Sequence, residues 1–144
     1  MKPYLTVLAA LLMSGAAQSA EVIDVHRDAN CGCCKDWIKY LETNGFEVRD
    51  HVEVNMLPVK ERLGVPPRLG SCHTGVIGGK FVEGHVPAAD ILKLRAQPDL
   101  IGAAVPGMPV GSPGMEMGER KDAFQVIGVS KQGKERVISE YPGN

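Results

Sequence analysis

The chain has no apolar run long enough to cross a membrane, which takes about 20 residues; the one near its start, Leu5 to Met13, has nine. It has no basic surplus either: 16 Lys and Arg stand against 17 Asp and Glu, a formal charge of −1. A nucleic-acid partner would need a basic face, so the balance argues against that class. There is no internal repeat. The widely separated Cys-x-x-Cys pairs typical of closed structural zinc sites are also absent. What remains is a chain of 144 residues with four cysteines, three of them within four residues of one another.

Residues 1–20 read as a secretory signal peptide. Lys2 supplies the positive charge, Leu5 to Met13 is apolar apart from Thr6, and small residues follow up to Ala20. An N-terminal anchor is the alternative, but no stop-transfer segment follows. The expected product is a single exported domain over residues 21–144, of a size that suits one core. It should hold no stable membrane span once the leader is cleaved, and its cysteines should meet an oxidising compartment.

The hydrophobic pattern predicts an α/β domain. Val22 to His26 reads as a strand, and a helix follows from about Cys33 to Asn44. On that helix Cys34, Trp37, Ile38 and Leu41 share one face. Phe46 to Val52 alternates as a second strand, and Val54 to Leu63 predicts a second helix ending at Gly64. Cys72 leads into a third strand, Gly78-Gly79 turns it back through Lys80 to Glu83, and Pro87 opens a helix over Ala88 to Arg95. The resulting β-α-β-α-β-β-α order is that of a thioredoxin-like core. Gln97 to Gly118 predicts a Met/Gly/Pro-rich loop without regular structure, and residues 124–139 predict a C-terminal β-hairpin.

Cys31-Gly32-Cys33-Cys34 is the most informative stretch. It sits at a predicted helix N-terminus, where the helix macrodipole favours thiolate, the form needed for both metal binding and disulfide exchange. Three thiols exceed what a two-electron dithiol switch requires and fit a metal–thiolate site. In a thioredoxin order the loop entering the third strand faces this helix mouth, so Cys72 and His73 are expected to approach it. Two structural disulfides and a closed zinc site remain alternatives. Vicinal Cys33 and Cys34 cannot pair with each other without strain.

Met108, Met115 and Met117 offer thioethers, soft ligands that favour Cu(I) over zinc. His73 is the best imidazole candidate, and His85, in the turn after the hairpin, is the second. The predicted metal ligands are therefore Cys31, Cys33, Cys34, Cys72, His73, His85, Met108, Met115 and Met117, with copper as the metal. Cys31 and Cys34, closing into a disulfide, release two electrons, enough to reduce two Cu(II) ions. A copper oxidoreductase coupled to disulfide formation is thus one role the residues allow. A thiol–disulfide oxidoreductase using Cys31 and Cys34 alone is another.

In these motifs the chain resembles the CopG-type family of periplasmic copper-resistance proteins. The residues that carry the resemblance are Cys31-Gly32-Cys33-Cys34-Lys35-Asp36-Trp37, Cys72-His73-Thr74-Gly75, Gly84-His85-Val86-Pro87 and Pro106-Gly107-Met108-Pro109, behind the predicted leader. The resemblance implies a thioredoxin-like fold, a periplasmic location, and work beside other copper-efflux components in copper resistance and homeostasis. It also implies several copper ions in one cysteine-bridged cluster.

Overall fold

A computed structural model describes residues 19–144; all but the last two residues of the predicted leader lie outside this range. The elements are β1 (Glu21–Asp28), α1 (Gly32–Thr43), β2 (Phe46–Glu53), α2 (Leu57–Leu63), β3 (His73–Ile77), β4 (Lys80–Gly84), α3 (Ala88–Arg95), β5 (Leu100–Val105), β6 (Phe124–Ser130) and β7 (Glu135–Tyr141). A short 3-10 turn, Pro67–Leu69, lies between α2 and β3. All seven strands form one sheet, in the order β2-β1-β3-β4-β5-β6-β7. The chain is thus α/β, and the expected β-α-β-α-β-β-α order is present.

Two parallel pairs, β1 with β2 and β4 with β5, are each joined through a helix, as parallel pairing requires. α1 packs its Cys34, Trp37 and Leu41 stripe onto one face of the sheet, against Ile23, Val25 and Val82. α3 adds Ile91 and Leu94 to that layer. A smaller cluster of Val65, Leu69, Phe81, Ala104 and Val129 fills the opposite face. The sheet therefore separates two apolar layers, and the ends of β1, β3 and β4 meet the first turn of α1.

Two expectations are corrected. α2 starts at Leu57, three residues later than predicted, because the Asn55 Oδ1 accepts the Leu57 N–H (3.0 Å) and Pro58 suits a first helical turn. The stretch predicted to lack regular structure contains β5. Its sequence, Leu-Ile-Gly-Ala-Ala-Val, is the continuous apolar run of a strand paired on both sides rather than an alternating one. The small residues are required there, since a Cβ on Gly102 would fall 2.3 Å from the Phe81 ring. β5 also joins the predicted hairpin, β6 and β7, to the rest of the sheet.

Candidate metal centre

The loop between β1 and α1 is short, so the first turn of α1 opens directly above the end of β1. Cys31 occupies the N-cap position and makes no side-chain cap of its own, which leaves its sulfur free for other chemistry. Cys33 and Cys34 lie in the first turn. The three sulfurs are mutually within 4.8 Å, and Cys31 Sγ is 3.6 Å from Cys33 Sγ. Cys31 and Cys34 are joined as a disulfide, with their Cα atoms 5.4 Å apart, while Cys33 and Cys72 are free thiols. Burial, followed by the negative charge of a Cys72 thiolate, pushes the Cys33 thiol pKa up from its ordinary value. Metal binding at Cys33 would therefore have to displace a proton.

Cys72 reaches this mouth from the other side. The Asp28 N–H donates to the Cys72 carbonyl (3.2 Å), which ties the residue to the end of β1. Its neighbour Ser71 is held by Glu83, a fully buried carboxylate on β4. Glu83 Oε1 accepts the Ser71 N–H (2.6 Å), the Ser71 hydroxyl (2.9 Å) and the Lys60 ammonium, while Oε2 accepts the Thr74 hydroxyl (2.6 Å). A buried carboxylate is tolerated only when paired and hydrogen-bonded, and this one has both kinds of partner. The effect is to lock the segment before β3 and with it the Cys72 backbone.

His73 and His85 lie buried behind the cysteines. The Gly84 carbonyl can only accept, so His73 Nε2–H donates to it (2.9 Å) and the neutral ring keeps its lone pair on Nδ1. That lone pair faces Cys34 Sγ at 3.2 Å. Burial lowers the His73 pKa to about 3, with the neighbouring His85 adding to the shift, so the ring is neutral near pH 7. By the same logic His85 Nδ1–H donates to the Pro113 carbonyl (2.7 Å), leaving the lone pair on Nε2. His85 Nε2 is buried without a hydrogen-bond partner. An orphaned buried nitrogen costs about 1–3 kcal/mol and fits a metal ligand that binding would satisfy. The His85 ring stands edge-on to His73, with centroids 5.0 Å apart, and Trp37 stacks on the other side of His73 at 4.4 Å.

The methionine loop docks on α1 through its centre. Gly114, at φ +82°, lies so close that a Cβ would be 2.7 Å from the Trp37 backbone nitrogen. Ser112 and Met115 close a turn by the Met115 N–H to Ser112 carbonyl bond (2.8 Å). Met115 follows this contact and is half-buried, whereas Met108 and Met117 are exposed. The structure thus groups Cys31, Cys33 and Cys34, sets Cys72 at the same opening, and puts His73 and His85 behind them. The methionine loop approaches along the helix. Met56, the residue before α2, was missed by sequence reasoning: it lines an open pocket of about 300 Å³ with Cys31 and Cys72. His26 and His51 lie apart, stacked on each other and bonded to Glu53 and Asp24.

Residues 69–115 match a family described as a protein of unknown function, DUF411. No curated protein sequence matches the chain. Two solved structures do, both named copper resistance protein copG, Form 1 and Form 2. The first is 73% identical, covering 86% of this chain and 99% of its own, with a TM-score of 0.84. The second is 72% identical, covering 85% and 99%, also with a TM-score of 0.84.

Proposed function

The chain belongs to the CopG family of copper-resistance proteins, and from that premise we propose that it binds several Cu(I) ions in a cysteine-bridged cluster and exchanges electrons with copper. The observation that carries this reading is the group of three sulfurs at the mouth of α1, with Cys72 across the opening. Thiolate and thioether ligands select Cu(I), and thiolates can bridge metal ions. Cys31, Cys33, Cys34 and Cys72 are the core ligands in this reading. His85 Nε2 and the loop residues Met108, Met115 and Met117 are supplementary ones. His73 Nδ1 faces Cys34 and serves either as a ligand or as the acceptor of its proton.

The redox step balances within the site. The Cys31 and Cys34 sulfurs form one S–S bond and give up two electrons, which reduce two Cu(II) to two Cu(I). The two thiol protons leave, that of Cys34 by way of His73 Nδ1. The Cu(I) produced then prefers the remaining sulfur ligands. With the predicted leader the setting is periplasmic, beside other copper-efflux components.

Anaerobic titration of the fully reduced mature protein with Cu(I) tests the cluster: more than one Cu(I) per chain is expected, in preference to Zn(II). A single zinc that outcompetes copper would refute it. Adding Cu(II) to the same reduced protein tests the electron transfer. The Cu(II) paramagnetic signal should fade as thiols are lost; a persistent signal with four intact thiols removes the redox role. The Cys31–Cys34 disulfide favours one second reading, a plain thiol–disulfide oxidoreductase. That reading predicts disulfide exchange with protein substrates in the absence of copper.

A further inference from the structure

The Cys31–Cys34 disulfide removes two of the four thiols as thiolate ligands, yet it does not strip the mouth of soft donors. Cys33 remains a free thiol beside Cys31. Cys72 is free and exposed. Met56, which carries a thioether, lines the same open pocket as Cys72 and Cys31. These three sulfurs come from three separate elements, and none is consumed by the disulfide.

Their backbones are held in place. Met56 caps α2, and its carbonyl accepts the N–H of Lys60, whose ammonium is bound to the buried Glu83. The same Glu83 grips Ser71, next to Cys72. One buried carboxylate thus fixes both the Met56 and the Cys72 sides of the opening, and α1 supplies Cys33. The harder donors there are partly engaged: Asp28 Oδ1 accepts the Asn30 N–H at 2.8 Å.

We propose that the disulfide form of the protein keeps a single Cu(I) site at this mouth, built from the Cys33 and Cys72 thiolates and the Met56 thioether. The inference rests on the copper-binding reading above and deepens it by giving the oxidised protein its own ligand set. Sulfur–metal bonds of about 2.3 Å require the donor sulfurs to lie within roughly 4.6 Å of one another. Cys72 stands outside the group of three sulfurs within 4.8 Å, so its exposed side chain rotates inward on a fixed backbone to bind. Two thiolates outweigh the single positive charge of Cu(I) and leave the site with a net charge of −1, and the neutral thioether completes a soft, low-coordinate set. One Cu(I) made when the disulfide closes would then rest at the solvent edge of the molecule, from which it can leave.

The test uses metal-free mature protein in the Cys31–Cys34 disulfide form, with two free thiols per chain verified by alkylation and mass. Cu(I) is added without oxygen or reductant, in competition with a chromophoric Cu(I) chelator, and thiols are recounted afterwards. One Cu(I) per chain is expected. Cys33→Ser and Cys72→Ser should each abolish it. Met56→Leu, which keeps the volume and removes the sulfur, should weaken retention about tenfold, or roughly 1.4 kcal/mol. Leu92→Ala, at an exposed position on α3 with no part in the site, should change nothing. No Cu(I) bound by the disulfide form would overturn the proposal, as would binding that survives loss of either thiol. Unchanged retention in Met56→Leu, with an unchanged unfolding midpoint, would overturn the assigned ligand set. Reduced protein titrated in parallel separates the two readings. If it takes up several Cu(I) while the disulfide form takes none, only this inference fails. If neither form binds, the copper-binding reading fails with it.

Discussion

Replacing Glu83 by glutamine isolates the charge that holds the Cys72 segment. Gln has the same shape, and its amide oxygen can keep the contacts to Ser71 and Lys60 while its NH2 group faces Thr74, whose hydroxyl can turn to accept. The number of hydrogen bonds hardly changes. What changes is their kind. Three donors, the Ser71 N–H, the Ser71 hydroxyl and the Lys60 ammonium, pass from a carboxylate to a neutral carbonyl. A bond to a charged group is worth about 1.5–3 kcal/mol and a neutral one about 0.5–1.5, so each loses about 1 kcal/mol. The sum, about 3 kcal/mol, meets the lower end of the cost of breaking a buried ion pair. The lower end is appropriate because the Lys60 side chain is 16% exposed and its ammonium can turn toward water. Against a typical total of about 5–15 kcal/mol this is a large loss. Urea unfolding of the metal-free disulfide form, followed by circular dichroism, measures it. A double-mutant cycle with Lys60→Met should give a coupling of at least about 1 kcal/mol, because the two side chains are in direct contact. A loss under about 1 kcal/mol, or no coupling to Lys60, would refute the clamp.

The folded-state pKa of His73, about 3, lies below the ordinary 6.5, so the unfolded chain binds the extra proton first as pH falls. Stability should level off about a unit above pH 6.5 and drop by about 2 kcal/mol between pH 7 and 5, with His85, also lowered by burial, acting in the same direction. Urea midpoints of the metal-free protein that do not move over that range would contradict the assignment. Gly114→Ala forces a Cβ against the Trp37 backbone at a positive φ and should cost about 3 kcal/mol. It should also speed proteolysis within residues 106–118; an unchanged melting temperature and cleavage rate would show that the loop does not lean on α1. Cys31→Ser should lower the Cu(I) count of the reduced protein more than Met108→Ala, since a thiolate carries charge and bridges whereas an exposed thioether does neither. Equal losses by metal analysis would count against that ranking.

The sequence reading succeeded where the signal was local and periodic. Cys34, Trp37 and Leu41 announce the buried face of α1 by their spacing, and all three are fully buried. The approach of Cys72 to the helix mouth followed from element order, and the Asp28–Cys72 backbone bond realises it. β5 was hidden because Gly102, Ala103 and Ala104 carry little β-propensity, and the strand forms only through tertiary pairing on both sides. Met56 was hidden for a related reason: nothing in its neighbourhood in sequence says that α2 begins beside the Cys72 loop. Nothing in the run Lys-Phe-Val-Glu marks Glu83 as buried. Its burial depends on Lys60, 23 residues earlier, and on Ser71 and Thr74.

Trp37 is the chain's one tryptophan. Its indole is wholly enclosed, with Nε1–H held by the Val86 carbonyl at 3.0 Å and its rings stacked on the imidazole that faces Cys34. The molecule therefore carries its own optical gauge. Excitation at the red edge of ultraviolet absorption addresses a single site, without labelling. Emission from that site responds to whatever alters the imidazole next to it: a proton, a heavy or paramagnetic ion, or the opening of the nearby sulfur–sulfur link. On the proposed reading, the rate at which metal arrives and the rate at which the dithiol closes would both be followed in one cuvette, from light emitted beside Cys34.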